Sequence, residues 1–157
     1  MQSLARLYSL LQGFRTKNRG RDYFTNPAWL AETIHSLKGL DEYKRFLLAY
    51  EVAVRDPEAL AENIKEFNLQ DERLRCLLAC EVAKRAPLHL KSHFDAFELQ
   101  SPQLVKKVVK EAILADPSGD HSVVKRLLSE DDRFELLCQV LKAFPEEAVQ
   151  NSAAYGI

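Results

Sequence analysis

The stretch YKRFLLAYEVAVRDP occupies residues 43–57, and RLRCLLACEVAKRAP occupies residues 73–87. Compared over 41–57 and 71–87, the two segments are identical at eleven of seventeen positions. Two unrelated amphipathic helices would share an apolar spacing but not their polar residues, so the echo marks an internal repeat with a step of thirty.

The step extends in both directions. Glu51, Glu81 and Glu111 fall in register, as do Pro57, Pro87 and Pro117, while Pro27 precedes Pro57 by thirty. The next unit arrives after twenty-eight residues, with Gln139 in the acid's place and Pro145 in the proline's. Four apolar columns align: Leu48/Leu78/Val108/Leu136, Ala49/Ala79/Val109/Leu137, Val52/Val82/Ala112/Val140 and Ala53/Ala83/Ile113/Leu141. Their i, i+1, i+4, i+5 spacing draws one stripe on a helix, the A helix of each unit.

Proline then marks a second start. Asn26-Pro27, Asp56-Pro57 and Asp116-Pro117 each set a side-chain acceptor before a proline suited to the first helical position. B helices follow, with apolar positions at Leu30, Ile34 and Leu37, at Leu60, Ile64 and Phe67, and at Leu90, Phe94 and Phe97. The last, on Asp120, Val124 and Leu127, is the weakest. Ser101 and Ser129 are placed to cap two A helices. One helix pair cannot bury both apolar faces, whereas a stack of pairs can. The pattern predicts an all-α chain, a short α-solenoid of two-helix repeats with a period of about 30 residues. It forms a single domain over 1–157: an N-terminal helix and basic loop at 1–26, repeats at 27–145 and a C-terminal tail at 146–157 that adds one turn at 146–150.

Composition fits this reading. Of 157 residues, 46% are apolar and 29% charged, with five Gly and six Pro, too few for a β-rich or disordered chain. No apolar run is long enough to span a bilayer, and residues 1–14 lack the basic start and apolar centre of a secretory signal. Three cysteines suit reduced thiols in a cytosol-like compartment. Charge is unevenly placed: residues 1–40 carry six Lys/Arg against two Asp/Glu, and 41–157 carry sixteen against twenty-one.

The thirty-residue unit with its DE.R..LA.EVA string resembles short HEAT-like repeats. The join at Phe67, Leu69, Asp71 and Glu72 also resembles the degenerate helical repeats of secreted effectors of intracellular bacteria. The resemblance covers about residues 27–145. It implies a soluble scaffold that binds another protein without catalysis, in the cytoplasm or, for a secreted effector, in the host cytosol. It does not name the partner, because such stacks are generic.

Candidate chemistry is sparse. Cys76-x3-Cys80 and His89-x3-His93 suggest zinc at first sight. A turn near Pro87 sets Cys80 level with His93 but leaves Cys76 about 12 Å along the axis from His89, too far for one ion. No metal or other cofactor is therefore expected. His35 and His121 lack partner motifs and read as surface or capping residues, while His93 and Asp95 point to different helix faces. No nucleophile elbow, Walker loop or HExxH occurs, so the chain is read as a non-enzyme. Glu51, Glu81 and Glu111 form either a ladder of ion pairs, with Arg55 and Arg85 at i+4, or an acidic strip for a basic partner; the ladder is favoured.

Contact residues are sought where units vary most: Glu58, Glu62, Lys65 and Glu66 on one B helix, then His89, Lys91, Ser92 and Asp95 on the next. The single tryptophan, Trp29, either seals the first B helix or anchors a partner. The leading expectation is a monomeric protein-binding module. The alternative is an anion or nucleic-acid site at Arg15, Lys17, Arg19 and Arg21, which the acidic remainder of the chain disfavours.

Overall fold

The computed structural model describes residues 26–156, and these are helical throughout, without a strand. In chain order they form α1 (Pro27–Thr33), α2 (Glu42–Arg55), α3 (Pro57–Asn63), α4 (Glu72–Arg85), α5 (Pro87–His93), α6 (Pro102–Ala115), α7 (Ser122–Leu127), α8 (Glu130–Ala143), α9 (Pro145–Gln150) and α10 (Ser152–Tyr155). Short 3-10 turns at Ile34–Ser36, Ile64–Phe67 and Phe94–Phe97 extend α1, α3 and α5. Among the described residues no helix is long and apolar enough to cross a membrane.

The long helices α2, α4, α6 and α8 each have fourteen residues. Three start on a side-chain cap: Asp41 accepts from Lys44 N, Asp71 from Arg73 N and Ser129 from Asp132 N. Ser101 heads α6 without capping it; its hydroxyl donates to Glu72 instead. Each long helix packs on the next, α2 on α4, α4 most extensively on α6, and α6 on α8. Behind them α1 packs on α3 and α3 on α5. The aligned residues Leu48, Leu78 and Val108, with Ala53, Ala83 and Ile113, are fully buried, so the repeating stripe is the core.

A local device recurs in the short elements. At Thr33, Asn63, His93 and Asn151 the backbone leaves helical geometry, and the side chain bonds the carbonyl four residues back, on Trp29, Ala59, His89 and Glu147 respectively. A side chain that competes for this carbonyl loosens the α-turn, and the chain restarts tighter. His121 does the same to Pro117 O, but four residues after its proline rather than six. From Thr33, Asn63, His93 and His121 to the start of the next long helix the distance is nine residues each time. The two residues missing from the twenty-eight-residue step are thus lost between Pro117 and His121.

This corrects the expected fourth and last B helix. Asp116-Pro117 opens a turn, not a helix: Asp116 is the C-cap of α6, and α7 begins only at Ser122. Asp120, placed in the apolar stripe by the sequence reading, is exposed, and its carboxylate accepts from Ser122 N and Oγ. At Gly119 the Asp116 carboxylate occupies the space a Cβ would take. His121, read as a surface or capping residue, is buried. The tail carries α10 as well as α9, with Ala148 and Tyr155 buried.

A second recurring device ties the chain together along its length. Glu42 Oε1 accepts from Gln70 N and Asp71 N, both at 2.7 Å, just ahead of α4. Glu72 Oε1 repeats this with Gln100 N and Ser101 N, at 2.6 and 2.7 Å, ahead of α6. Three residues on, Arg45 donates to Phe67 O, Asn68 O and Leu40 O; Arg75 donates to Phe97 O, Glu98 O, Leu69 O and Gln70 O. The conserved spelling DE..R is therefore a cap, a carboxylate that holds the next helix start, and a guanidinium fork on loop carbonyls. Where it is absent, at Ser101, Pro102 and Val105, the following loop is also different: Asn68 and Glu98 adopt positive φ, but Leu128 is extended.

Positive φ at a residue with a Cβ is strained. Glu98→Gly is expected to stabilise the chain by about 0.5–1 kcal/mol, since its exposed ion pair with Lys65 contributes little. Urea unfolding would check this. A midpoint below wild type would mean the Lys65 pair outweighs the strain.

Candidate functional site

The candidate contact residues sit on α3 and α5 and their 3-10 extensions, and the structure pairs many of them across neighbouring short elements. Glu66 Oε2 lies 3.2 Å from His35 Nδ1, Glu58 Oε1 lies 3.6 Å from His89 Nδ1, and Lys65 Nζ lies 3.6 Å from Glu98 Oε1. Asp95 Oδ2 continues the series to Arg126 Nη1 at 3.5 Å. Each pair joins one short element to the next. Glu62 is exposed, and Ser92 Oγ donates to Leu88 O.

Lys91 is half-buried. Burial lowers its pKa, while the carboxylates of Asp116 and Asp120 pull the other way. Trp29 packs partly buried against the core; its amide donates to Asn26 Oδ1. Arg15, Lys17, Arg19 and Arg21 lie outside the described residues.

Between the ends of the second and third short elements lies a groove of about 340 Å³. Lys65, Asn68, Gln70, Arg75 and Glu98 line it, with Ile64 at its floor side. It is a polar recess beside the Arg75 fork, lined by residues from two short elements and α4 that lie far apart in sequence.

The soft-ligand pattern separates in space. The Cys76 thiol donates to Leu104 O at 3.9 Å, His93 Nδ1 meets His89 O at 3.0 Å, and His89 faces Glu58. Cys76 and Cys80 are both buried; their interaction holds the Cys76 thiol below its ordinary value and pushes that of Cys80 up, with burial adding to the Cys80 rise. Among the described residues no three His, Cys, Asp or Glu side chains come together to hold an ion. Glu51 pairs with Arg55 at 2.9 Å, and Glu81 with Arg85 at 3.4 Å and Lys84 at 3.9 Å, so these two acids of the column form ion pairs on their own helices.

One buried polar pair was not legible beforehand. His121 is 1% exposed; its Nδ1 lies 3.0 Å from Tyr155 Oη and its Nε2 2.8 Å from Pro117 O. A carbonyl only accepts, so Nε2 carries the proton and Nδ1 accepts from the tyrosine hydroxyl. The pair fastens α10 to the loop before α7.

Comparison with protein-family models, curated proteins and solved structures returned no match.

Proposed function

We propose that the chain is a non-enzymatic protein-binding module, a short α-solenoid of two-helix units whose short-helix face holds another protein. The observation that supports this reading most is the row of charged side chains on α3 and α5, exposed yet aligned by pairs from one short element to the next. Behind that row the core and the DE..R device repeat, while Glu58, Glu62, Lys65, His89, Lys91 and Asp95 differ from unit to unit. A constant frame with variable side chains on one series of helices suits recognition of an extended partner. Resemblance to secreted effectors would put that partner in a host cell.

Affinity capture from nuclease-treated lysate, read by mass spectrometry, tests the reading. The control carries reversed charges at Glu58, Glu62, Lys65, Lys91 and Asp95. A protein recovered by the wild type and lost by the control is the expected result. Recovery of the same proteins by both would remove the short-helix face as the site.

A further inference from the structure

Several positions that are buried in an earlier unit open to solvent on α8 and α9. Ala53, Ala83 and Ile113 are 0% exposed, but Leu141, in the same column, is 49% exposed. Cys76 is 3% exposed and Lys106 forms ion pairs with Asp132 and Glu135 of the following long helix; Phe134, which matches them, is 57% exposed. Four residues after its proline, Ala61 is fully buried, whereas Val149 is 69% exposed. Cys138 matches the buried Cys80 and is only half-buried. In the column of Cys76 and Lys106 the earlier residues meet the next long helix, through Leu104 O and the carboxylates of α8. Phe134, Leu141 and Val149 leave an apolar strip exposed on α8 and α9, of the kind that marks an interaction surface.

Two acids stand in the same register beside the strip, and the earlier units show what such acids hold. Glu130 matches Glu42 and Glu72, each of which accepts the two amide N–H groups just ahead of the next long helix. Glu146 matches Glu58, which faces the His89 ring of the next short helix. The interfaces inside the chain thus show what would fit this face: a helix start over Glu130, an apolar helix side over Phe134, Leu141 and Val149, and a cation opposite Glu146. A second copy presenting this same face would set acids against acids, so complementarity favours a different surface.

We infer that the α8–α9 face, with Phe134, Leu141 and Val149 flanked by Glu130 and Glu146, docks a helical hairpin of a partner protein that brings a helix N-terminus and a basic side chain. The inference rests on the protein-binding reading but on a different surface from the short-helix charges.

The test uses the full chain with a benzophenone amino acid at position 134, irradiated in lysate, and the cross-linked peptides sequenced. The expected result is cross-links to one two-helix segment bearing a Lys or Arg. That segment, made as a recombinant protein, should bind the wild type. It should lose about tenfold or more in affinity with Leu141→Glu. Glu146→Lys should also weaken binding, and reversing the partner's cation to an acid should restore it. Both positions are exposed, so neither change removes a core contact.

Cross-links only between copies of this chain would overturn the inference in favour of self-association. Cross-links to no protein, or affinity indifferent to Leu141→Glu, would overturn it outright. If cross-links persist when the short-helix charges are reversed, the two surfaces are separate. If neither surface recovers a protein, the protein-binding reading itself fails.

Discussion

Arg75→Ala is expected to destabilise the chain by about 3 kcal/mol, lowering the melting temperature by about 10 °C. The guanidinium donates from Nε to Phe97 O at 2.9 Å, from Nη1 to Leu69 O and Gln70 O at 2.8 Å each, and from Nη2 to Glu98 O at 3.2 Å. One side chain therefore ties the loop before α4 to the end of the following short element. Hydrogen bonds from a charged donor are each worth about 1.5–3 kcal/mol net, but one desolvated fork shares its cost among them, so the sum is not simply additive. Lysine carries the charge without the planar fork, and Arg75→Lys is expected to recover less than half of the loss. Thermal and urea unfolding of the three proteins decide the matter. A loss below about 0.5 kcal/mol for Arg75→Ala would show the fork to be ornamental, as many exposed polar contacts are.

The same loop gives an acid limb. Amide N–H groups of Ser101 and Gln100 hold the Glu72 carboxyl below its usual range, against a smaller opposing push from desolvation. A carboxylate with a depressed folded-state pKa stabilises above its unfolded value and stops doing so as pH falls through the folded one. Glu72→Gln should therefore flatten the stability profile only on the acid side of about 4.5.

What could be read from the sequence follows from how far each signal reaches. The long helices were legible because Leu48, Ala49, Val52 and Ala53 recur as a stripe within one helix; of the two caps read beside them, Ser129 caps its helix and Ser101 does not. The Glu42–Arg45 and Glu72–Arg75 devices were spelled in the repeat itself. Their partners, however, are backbone groups, some five or six residues away and the others 22 to 29, and these leave no side-chain signature. Thr33, Asn63, His93 and Asn151 share a role but not an identity, so alignment by residue type passes over them. The fourth short element was misread for a different reason. Asp116-Pro117 has the right residues for a helix start, but with two residues fewer before His121 the chain closes a turn on Gly119 instead. The α8–α9 face was invisible because its residues look like core in every column, and only their exposure separates them from Ala53 and Ile113.

Tyr155→Ala is expected to cost about 4 kcal/mol, the largest loss of any single change at the α10 end, because a fully buried aromatic ring and its hydroxyl bond disappear together. Its partner makes the cost depend on pH. Burial is the main influence lowering the His121 pKa; Lys91 acts in the same direction, while the bond to Pro117 O and the carboxylates of Asp116 and Asp120 oppose it. The unfolded chain then binds a proton at about 6.5 that the folded chain resists. Stability is complete above that value and falls as pH drops below it, by at most about 1.4 kcal/mol per pH unit, until the folded-state value is reached.

Burial also raises the Tyr155 phenol, to about 12 against an ordinary value of 10. On that side stability holds below pH 10 and is lost as pH rises towards 12. The His121–Tyr155 pair thus contributes fully only between about 6.5 and 10. Tyr155→Phe keeps the ring and isolates the hydroxyl. It should cost about 1–2 kcal/mol at neutral pH, through the lost bond and the unpaired Nδ1, and abolish this residue's share of the alkaline limb. His121→Asn should remove the slope just below pH 6.5 while leaving the alkaline side in place. Urea midpoints across pH 5 to 11 read all of these changes together. An acid slope that survives His121→Asn unchanged would place the titrating group elsewhere and leave His121 a packing residue alone.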